Sequence, residues 1–157
     1  MALLWGLAAL CFALDRAAKI LANLYLSYGM SYELIRGVLR LELTRKTGMA
    51  QGALSGYPAL IIVLPVLAVA AGAVALRRYQ TTAFTRVAAA LILGGFLGNL
   101  VDRLCYGYVL DMIFFPFLPF FVCNVADVAI TFGVGLMAVS LIFRPDDWRR
   151  RDAKGGS

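Results

Sequence analysis

Four aspartates lie inside or at the ends of long apolar stretches, at positions 15, 102, 111 and 127. Ionisable side chains at membrane depth cost free energy, and proteins usually keep them there for function. Two carboxyl groups held close together in a partly dry site cannot both ionise, so one keeps a proton while the other acts as a base toward water. This is the chemistry of aspartic proteases, although proton-coupled transporters use paired carboxylates as well.

Two of the four aspartates also have a structural explanation. Asp102 precedes Arg103 and follows Asn99 by one helical turn. Asp15 precedes Lys19 by four residues, the spacing of an ion pair on one helix face. Asp111 and Asp127 have no basic residue within a helical turn, and for them we favour a functional role. The five other acidic residues stand in polar segments where solvation explains them: Glu33, Glu42, Asp146, Asp147 and Asp152.

The chain contains no histidine. This excludes Ser-His-Asp and Cys-His catalytic arrangements, zinc proteases with a His-Glu-x-x-His motif, and ordinary histidine-ligated metal sites. The three cysteines, Cys11, Cys105 and Cys123, lie in apolar surroundings at spacings that match no metal or redox motif, so we expect them to be small packing residues. Neither a metal nor another cofactor is expected.

The composition places the chain in a bilayer. Of its 157 residues 62% are hydrophobic and 15% charged, whereas soluble domains have roughly 45–50% apolar and about 25% charged residues. The net charge of +6 does not indicate nucleic acid binding, because the basic residues flank apolar runs. That arrangement is typical of residues that set membrane orientation.

The apolar runs predict an all-α membrane protein with four transmembrane helices and one integral membrane domain. A spanning helix needs about 20 mainly apolar residues. The predicted spans are about 2–24, 57–76, 87–103 and 125–143. The first run lacks a basic start and a convincing cleavage site, so we expect a retained helix rather than a signal peptide. Pro65 predicts a kink in the second span.

The positive-inside rule gives an orientation. Basic residues concentrate between the second and third spans and in the tail 144–157, which places both termini in the cytoplasm. Segments 25–56 and 104–124 then lie outside. In the first, Leu39, Leu41 and Leu43 alternate with polar residues, which predicts a small extracytoplasmic β element. In the second, the phenylalanine-rich run 114–121 carries two prolines and is expected to form an interfacial loop or lid.

Three sequence blocks carry a family resemblance. They are Gly94-Gly95-Phe96-Leu97-Gly98-Asn99-Leu100-Val101-Asp102-Arg103, then Val109-Leu110-Asp111, then Asn124-Val125-Ala126-Asp127. This order of GGxxGNxxDR, V-x-D and N-x-A-D resembles the lipoprotein signal peptidases, bacterial signal peptidase II. Asp15 and Lys19 match the family's D-x-x-x-K on its first helix, so the resemblance extends over nearly the whole chain.

The resemblance implies an aspartic endopeptidase of the bacterial plasma membrane, with its active site on the extracytoplasmic side. Its substrates would be diacylglyceryl-modified prolipoproteins, cut before the lipidated cysteine, with their lipid chains remaining in the bilayer. Globomycin is the implied inhibitor. The aspartates of the last two motifs, Asp111 and Asp127, become the catalytic pair. The implied supporting or substrate-binding residues are Asp15, Lys19, Lys46, Gly48, Asn99, Asp102, Arg103 and Asn124.

One position departs from the family pattern. The family has N-x-G-x-A after its first outer strand, whereas this chain has Lys46-Thr47-Gly48-Met49-Ala50. A lysine can donate a hydrogen bond to substrate but cannot accept one, so the departure affects a predicted substrate contact. The alternatives from other classes are a small ion- or proton-coupled transporter and an inactive membrane chaperone on the same scaffold.

Overall fold

The computed structural model describes residues 1–47, 57–79, 81–118 and 121–148. The described chain contains four long helices, a four-stranded sheet and a short 3₁₀ helix. The helices are α1 (Ala2–Tyr25), α2 (Pro58–Arg78), α3 (Ala83–Tyr106) and α4 (Val125–Phe143). The strands are β1 (Ser31–Ile35), β2 (Leu39–Lys46), β3 (Val109–Phe114) and β4 (Val122–Cys123), and the 3₁₀ helix is Pro145–Trp148.

Local sequence signals explain where α3 and α4 begin and end. Thr82 precedes α3 and its hydroxyl accepts a hydrogen bond from Thr85 N over 3.3 Å. Gly107 ends α3 with φ of 78°, a left-handed conformation that glycine adopts without strain. Asn124 caps α4, its side-chain oxygen accepting from Asp127 N over 2.8 Å. The side chains of Thr82 and Asn124 thus satisfy backbone N–H groups that the first turn of a helix leaves unpaired.

Glycines on α3 allow α1 and α4 to pack closely on either side of it. A Cβ atom at Gly94 would lie 2.6 Å from Ala8 O of α1, and one at Gly95 would lie 2.5 Å from Ala126 O of α4. A Cβ at Gly98 would collide with the Asp15 carboxylate. Small residues let helix backbones approach in membrane bundles, so the glycine-rich block brings α1, α3 and α4 together near the polar side chains.

The strands form one antiparallel sheet in the order β1-β2-β3-β4. One face carries Leu43, Leu110 and Met112, which pack with Ala22 of α1 in a buried cluster. Side chains alternate between faces along a strand. Asp111, which pairs with Thr44 in the β2–β3 register, is therefore on the opposite face.

Among the described residues, three helical stretches are long and apolar enough to cross a membrane: Ala59–Arg78, Ala83–Tyr106 and Val125–Phe143. The predicted bounds of α4 agree with the structure, whereas α3 begins four residues earlier and ends three residues later than the predicted 87–103. Helix α1 has the length of a span but carries Asp15, Arg16 and Lys19.

One expectation is wrong, and two strands add to the prediction. The outer segment 104–124 contains the last turn of α3 and two strands, β3 and β4, which the sequence did not indicate. Within the run 114–121, residues 115–118 form a turn. Residues 119–120, in the middle of the phenylalanine-rich run, lie outside the described residues. Cys11 and Cys123 are buried as expected, whereas Cys105 is exposed and is not a packing residue.

Candidate active site

Asp111 lies in the middle of β3 and is completely buried. Its Oδ1 accepts a hydrogen bond from Asn124 Nδ2 over 2.7 Å. Its Oδ2 forms an ion pair with Lys46 Nζ. The strand therefore fixes the backbone of this carboxylate while two donors from other elements fix its oxygens.

Asp127 lies in the first turn of α4 and its side chain is 28% exposed. Its Oδ1 accepts a hydrogen bond from Asn99 Nδ2 over 2.7 Å. A carboxylate is favoured at a helix N-terminus because the N–H dipoles of the first turn point toward it. Because Asp111 is fully buried and Asp127 is partly exposed, Asp127 is the more accessible of the two carboxylates predicted to do chemistry.

Lys46, at the end of β2, joins the two aspartates. Its Nζ pairs with Asp111 Oδ2, lies 3.9 Å from Asp127 Oδ2 and donates to Val122 O over 2.8 Å. The strand register explains the contact, since Lys46 pairs with Val109 and is a same-face diagonal neighbour of Asp111. Lys46 is predicted to contact substrate, and in the structure its ammonium contacts the two carboxylates.

Two asparagine amides connect the aspartates to the helices. Asn124 Nδ2 donates to Asp111 and also to Asn99 Oδ1, over 3.0 Å, while its oxygen caps α4. Lys19 Nζ donates to the same Asn99 oxygen over 3.1 Å, which leaves Asn99 Nδ2 to face Asp127. Each amide can donate only through nitrogen, so this pattern presents an N–H donor to each carboxylate.

A second charged cluster lies beside the aspartates and joins α1 to α3. Lys19 Nζ is 2.8 Å from Asp15 Oδ2 and 2.7 Å from Asp102 Oδ2, and Arg16 is 2.5 Å from Asp102 Oδ1. Asp15 also accepts from Ala126 N over 3.0 Å. The structural explanation given for Asp15 is confirmed by its pair with Lys19. Asp102 pairs with the cations of α1.

The other residues predicted for the site differ in whether the structure describes them and in what they contact. Arg103 donates to Asn99 O over 3.2 Å, within its own helix. Gly48 lies outside the described residues. Arg16 was not among the predicted site residues, although its guanidinium donates to Gly98 O and to Asp102. A basic residue inside an apolar helix next to an aspartate was the available signal.

Burial determines the electrostatics of Asp111. Removal from water raises the pKa of the Asp111 carboxyl to about 6, and the adjacent Lys46 ammonium opposes that rise. Burial, and then the charges of Asp127 and Asp111, raise the pKa of the Cys123 thiol to about 12. The site thus contains a carboxyl that titrates near neutral pH and a thiol that stays protonated.

Residues 7–143 match the sequence profile of the family described as Signal peptidase (SPase) II. The chain belongs to the signal peptidase II family. It is 34% identical over 138 residues to the lipoprotein signal peptidase of Brevibacillus brevis, covering 86% of this chain and 91% of that one. It is 32% identical over 152 residues to that of Enterococcus faecalis, covering 96% and 93%.

Solved structures agree with this assignment. Two chains described as bacterial membrane enzymes, determined by the in meso method, superpose with TM-scores of 0.80 and 0.78 at 27% and 28% identity. The first superposition covers 96% of this chain and 89% of the solved chain, and the second covers 88% of this chain and 91% of the solved chain. The protein is thus a multi-pass membrane peptidase that removes signal peptides from prolipoproteins, and the transporter alternative loses its support.

Proposed function

We propose that this signal peptidase II is an aspartic endopeptidase with Asp111 and Asp127 as its catalytic pair. The observation that carries the proposal is the convergence of the two carboxylates on Lys46 Nζ, one from β3 and one from α4. Asp111 lies on the sheet and Asp127 in the first turn of α4. The sheet contains most of the described chain between α1 and α2. The chain offers no histidine for another acid–base arrangement.

The exposure of the two groups suggests different roles. Asp127, the more accessible carboxylate, takes a proton from the attacking water. Asp111 belongs to the half of the site that returns a proton to the scissile carbonyl and later to the leaving amine. A buried carboxyl with a pKa of about 6 is suited to holding or releasing a proton near neutral pH, as general acid–base catalysis requires.

Supporting residues hold this pair in place. Asn124 and Asn99 orient the carboxylates through their amide donors, and the cluster of Asp15, Lys19 and Asp102 fixes α1 against α3. A catalytic pair must be held within about half an ångström of productive geometry. Arg103 and the segment that contains Gly48 are proposed to contact substrate.

We further propose that α1 is the fourth membrane span, because its charged side chains face protein. Asp15 and Lys19 are almost completely buried, whereas Leu10, Leu14 and Leu21 are each more than half exposed. Leucines exposed along one face of a helix fit a lipid environment. With four spans, the basic residues near the ends of α2 and α4 put both termini in the cytoplasm and the sheet outside.

The proposed substrate bears diacylglycerol on the cysteine that follows the scissile bond. Its acyl chains would stay in bilayer lipid while the peptide reaches Asp127 from the outer face. Globomycin is proposed to occupy the same cleft. This arrangement agrees with an accessible Asp127 beside a fully buried Asp111.

Cleavage of a diacylglyceryl prolipoprotein by purified protein in detergent tests the proposal. Asp111→Asn and Asp127→Asn should each lower turnover by at least about a thousandfold, since asparagine keeps the shape but neither accepts a proton nor carries charge. Glu33→Gln, at an exposed ion pair on β1, is the matched control and should retain full activity. If Asp111→Asn keeps more than about a tenth of the activity while folded, the assigned pair is wrong.

A further inference from the structure

The two oxygens of Asp111 have different nitrogen neighbours, one in a hydrogen bond and one in an ion pair. Asn124 Nδ2 reaches Oδ1 over 2.7 Å, and the Lys46 ammonium pairs with Oδ2. A second N–H of Lys46 is used by Val122 O at 2.8 Å. A protonated Asp111 would have to give up one of these contacts, because a carboxyl oxygen that carries a proton is a poor partner for a donor.

Asp127 has a different environment. Its Oδ1 is engaged by Asn99, but its Oδ2 lies 3.9 Å from Lys46 Nζ, beyond hydrogen-bond distance. The side chain is also partly exposed. An ammonium has three N–H groups, and Lys46 Nζ lies 3.9 Å from an oxygen of the carboxylate that meets solvent.

We propose that the mobile proton of the resting site lies on Lys46, so that Lys46 and Asp111 together form the acid half of the pair and Asp127 is the base. The inference rests on the catalytic pair proposed above. The physical reason is charge. Two adjacent carboxylates cannot both ionise without a neighbouring positive charge. The Lys46 ammonium supplies that charge, so the two carboxylates do not need to share a proton.

The proton inventory of the reaction balances. In the first step the water oxygen bonds to the scissile carbon, the water proton passes to Asp127, and a Lys46 N–H proton passes to the carbonyl oxygen. In the second step the Asp127 proton passes to the amide nitrogen as the C–N bond breaks, with its electron pair going to nitrogen. A hydroxyl of the intermediate returns its proton to the Lys46 amine, which leaves a carboxylic acid, a free amine and the starting protein.

The other charged and titratable groups around Lys46 do not compete for this proton. Cys123 of β4 remains a thiol because its pKa is raised to about 12. Arg103 of α3 is a guanidinium, which keeps its proton in proteins. Asp111, with a pKa of about 6, is mainly ionised at neutral pH.

The pH dependence of kcat tests the inference, and the sign of one shift decides it. If Lys46 carries the proton, the Lys46→Asn variant must instead hold it between the two carboxyls. A proton held there is lost at lower pH than a lysine proton. The alkaline limb of the pH–kcat profile should therefore move down by at least about one pH unit. If Lys46 were only a neighbouring cation, its removal would raise the carboxyl pKa values and move the alkaline limb up. An unchanged or upward limb overturns the inference.

Lys46→Arg separates charge from proton transfer. Arginine keeps the positive charge but does not release its proton, so kcat should fall by at least about a hundredfold with little change in KM. Wild-type kcat in Lys46→Arg would overturn the inference. Arg45→Asn, which removes a charge from the adjacent β2 position that bonds Tyr28, is the control and should leave the pH profile unchanged.

These experiments are separable from the test of the pair itself. If both Asp→Asn variants are inactive but the alkaline limb of Lys46→Asn moves up, the catalytic pair stands and the role of Lys46 falls. If Asp127→Asn is active, the pair falls first. Thermal midpoints in detergent, measured for every variant, show that each protein compared is folded.

Discussion

Lys19 Nζ lies 2.7 Å from Asp102 Oδ2, and these two side chains are 4% and 2% exposed. The contact joins α1 to α3, next to the point where Gly98 of α3 meets the Asp15 carboxylate of α1. With Asp15 and Arg16 the cluster contains two positive and two negative charges. A neutral buried cluster can be placed at membrane depth, whereas an unpaired charge there is costly.

Lys19→Met should therefore destabilise the protein severely. It leaves Asp15 and Asp102 buried with Arg16 as the remaining cation of the cluster, and breaking a buried ion pair costs about 3–5 kcal/mol. The free energy of unfolding in detergent measures the loss. Arg40→Gln, at the half-exposed pair with Glu33, is the matched control and should cost no more than about 1 kcal/mol. Equal losses in the two variants would show that the cluster does not hold the helices together.

Asp111 should give the folding stability a defined pH dependence. Burial raises its pKa from 3.8 to about 6, so the folded state favours the protonated form. Its contribution to stability is then complete below the unfolded pKa and is lost as the pH rises through about 6, with a total of about 3 kcal/mol. Subtracting the unfolding free energies of Asp111→Asn from those of the wild type, between pH 4 and pH 8, isolates this change. A flat difference would contradict it.

Sequence motifs predicted the parts of the site that depend on local spacing. The i, i+4 pair of Asp15 and Lys19 and the span of α4 could be read directly, because helix periodicity and apolar length are properties of neighbouring residues. The β2 strand was recognisable from its alternation of leucines with polar residues. In each case one segment of the chain contained the whole signal.

The contact of Lys46 with Asp111 could not be predicted in this way. It depends on the pairing of β2 with β3, and β3 has no alternating pattern because its first four residues are all buried. A strand buried on both faces is a short apolar run, which cannot be distinguished from the end of a helix by periodicity. Without β3, Lys46 had no visible partner, and its predicted contact with substrate came from the family resemblance.

The three cysteines should differ in reactivity. Cys105 is exposed, whereas Cys11 and Cys123 are buried. The pKa of the Cys123 thiol is raised to about 12, first by burial and then by the two aspartates, so little reactive thiolate exists near pH 8. A maleimide in detergent should label Cys105 and leave activity unchanged, with the sites identified by peptide mass spectrometry. Labelling of Cys123 at a comparable rate would contradict the site geometry.

The proposed orientation can be tested with single cysteines. In a variant lacking Cys11, Cys105 and Cys123, a cysteine at Ser31, exposed on β1, should react with a membrane-impermeant maleimide in intact cells. A cysteine at Gly156, in the basic tail, should react only after lysis. Labelling of position 156 from outside would place the C-terminus on the same side as the sheet and exclude three crossings, by α2, α3 and α4, between them.

The two aspartates should behave as a unit in a double-mutant cycle. If Asp127 takes the water proton and Asp111 supports the group that returns a proton, neither step proceeds without the other, so each single Asp→Asn variant already removes nearly all catalysis. The double variant should be slower than either single variant by no more than about threefold, although independent effects would multiply to about a millionfold loss. Single-turnover cleavage of a diacylglyceryl prolipoprotein measures the rates, with Glu33→Gln combined with Asp127→Asn as an additive control. Multiplicative losses in the double variant would mean that the two carboxyls act in separate steps or sites, and the contact of Lys46 with both would then require a structural explanation.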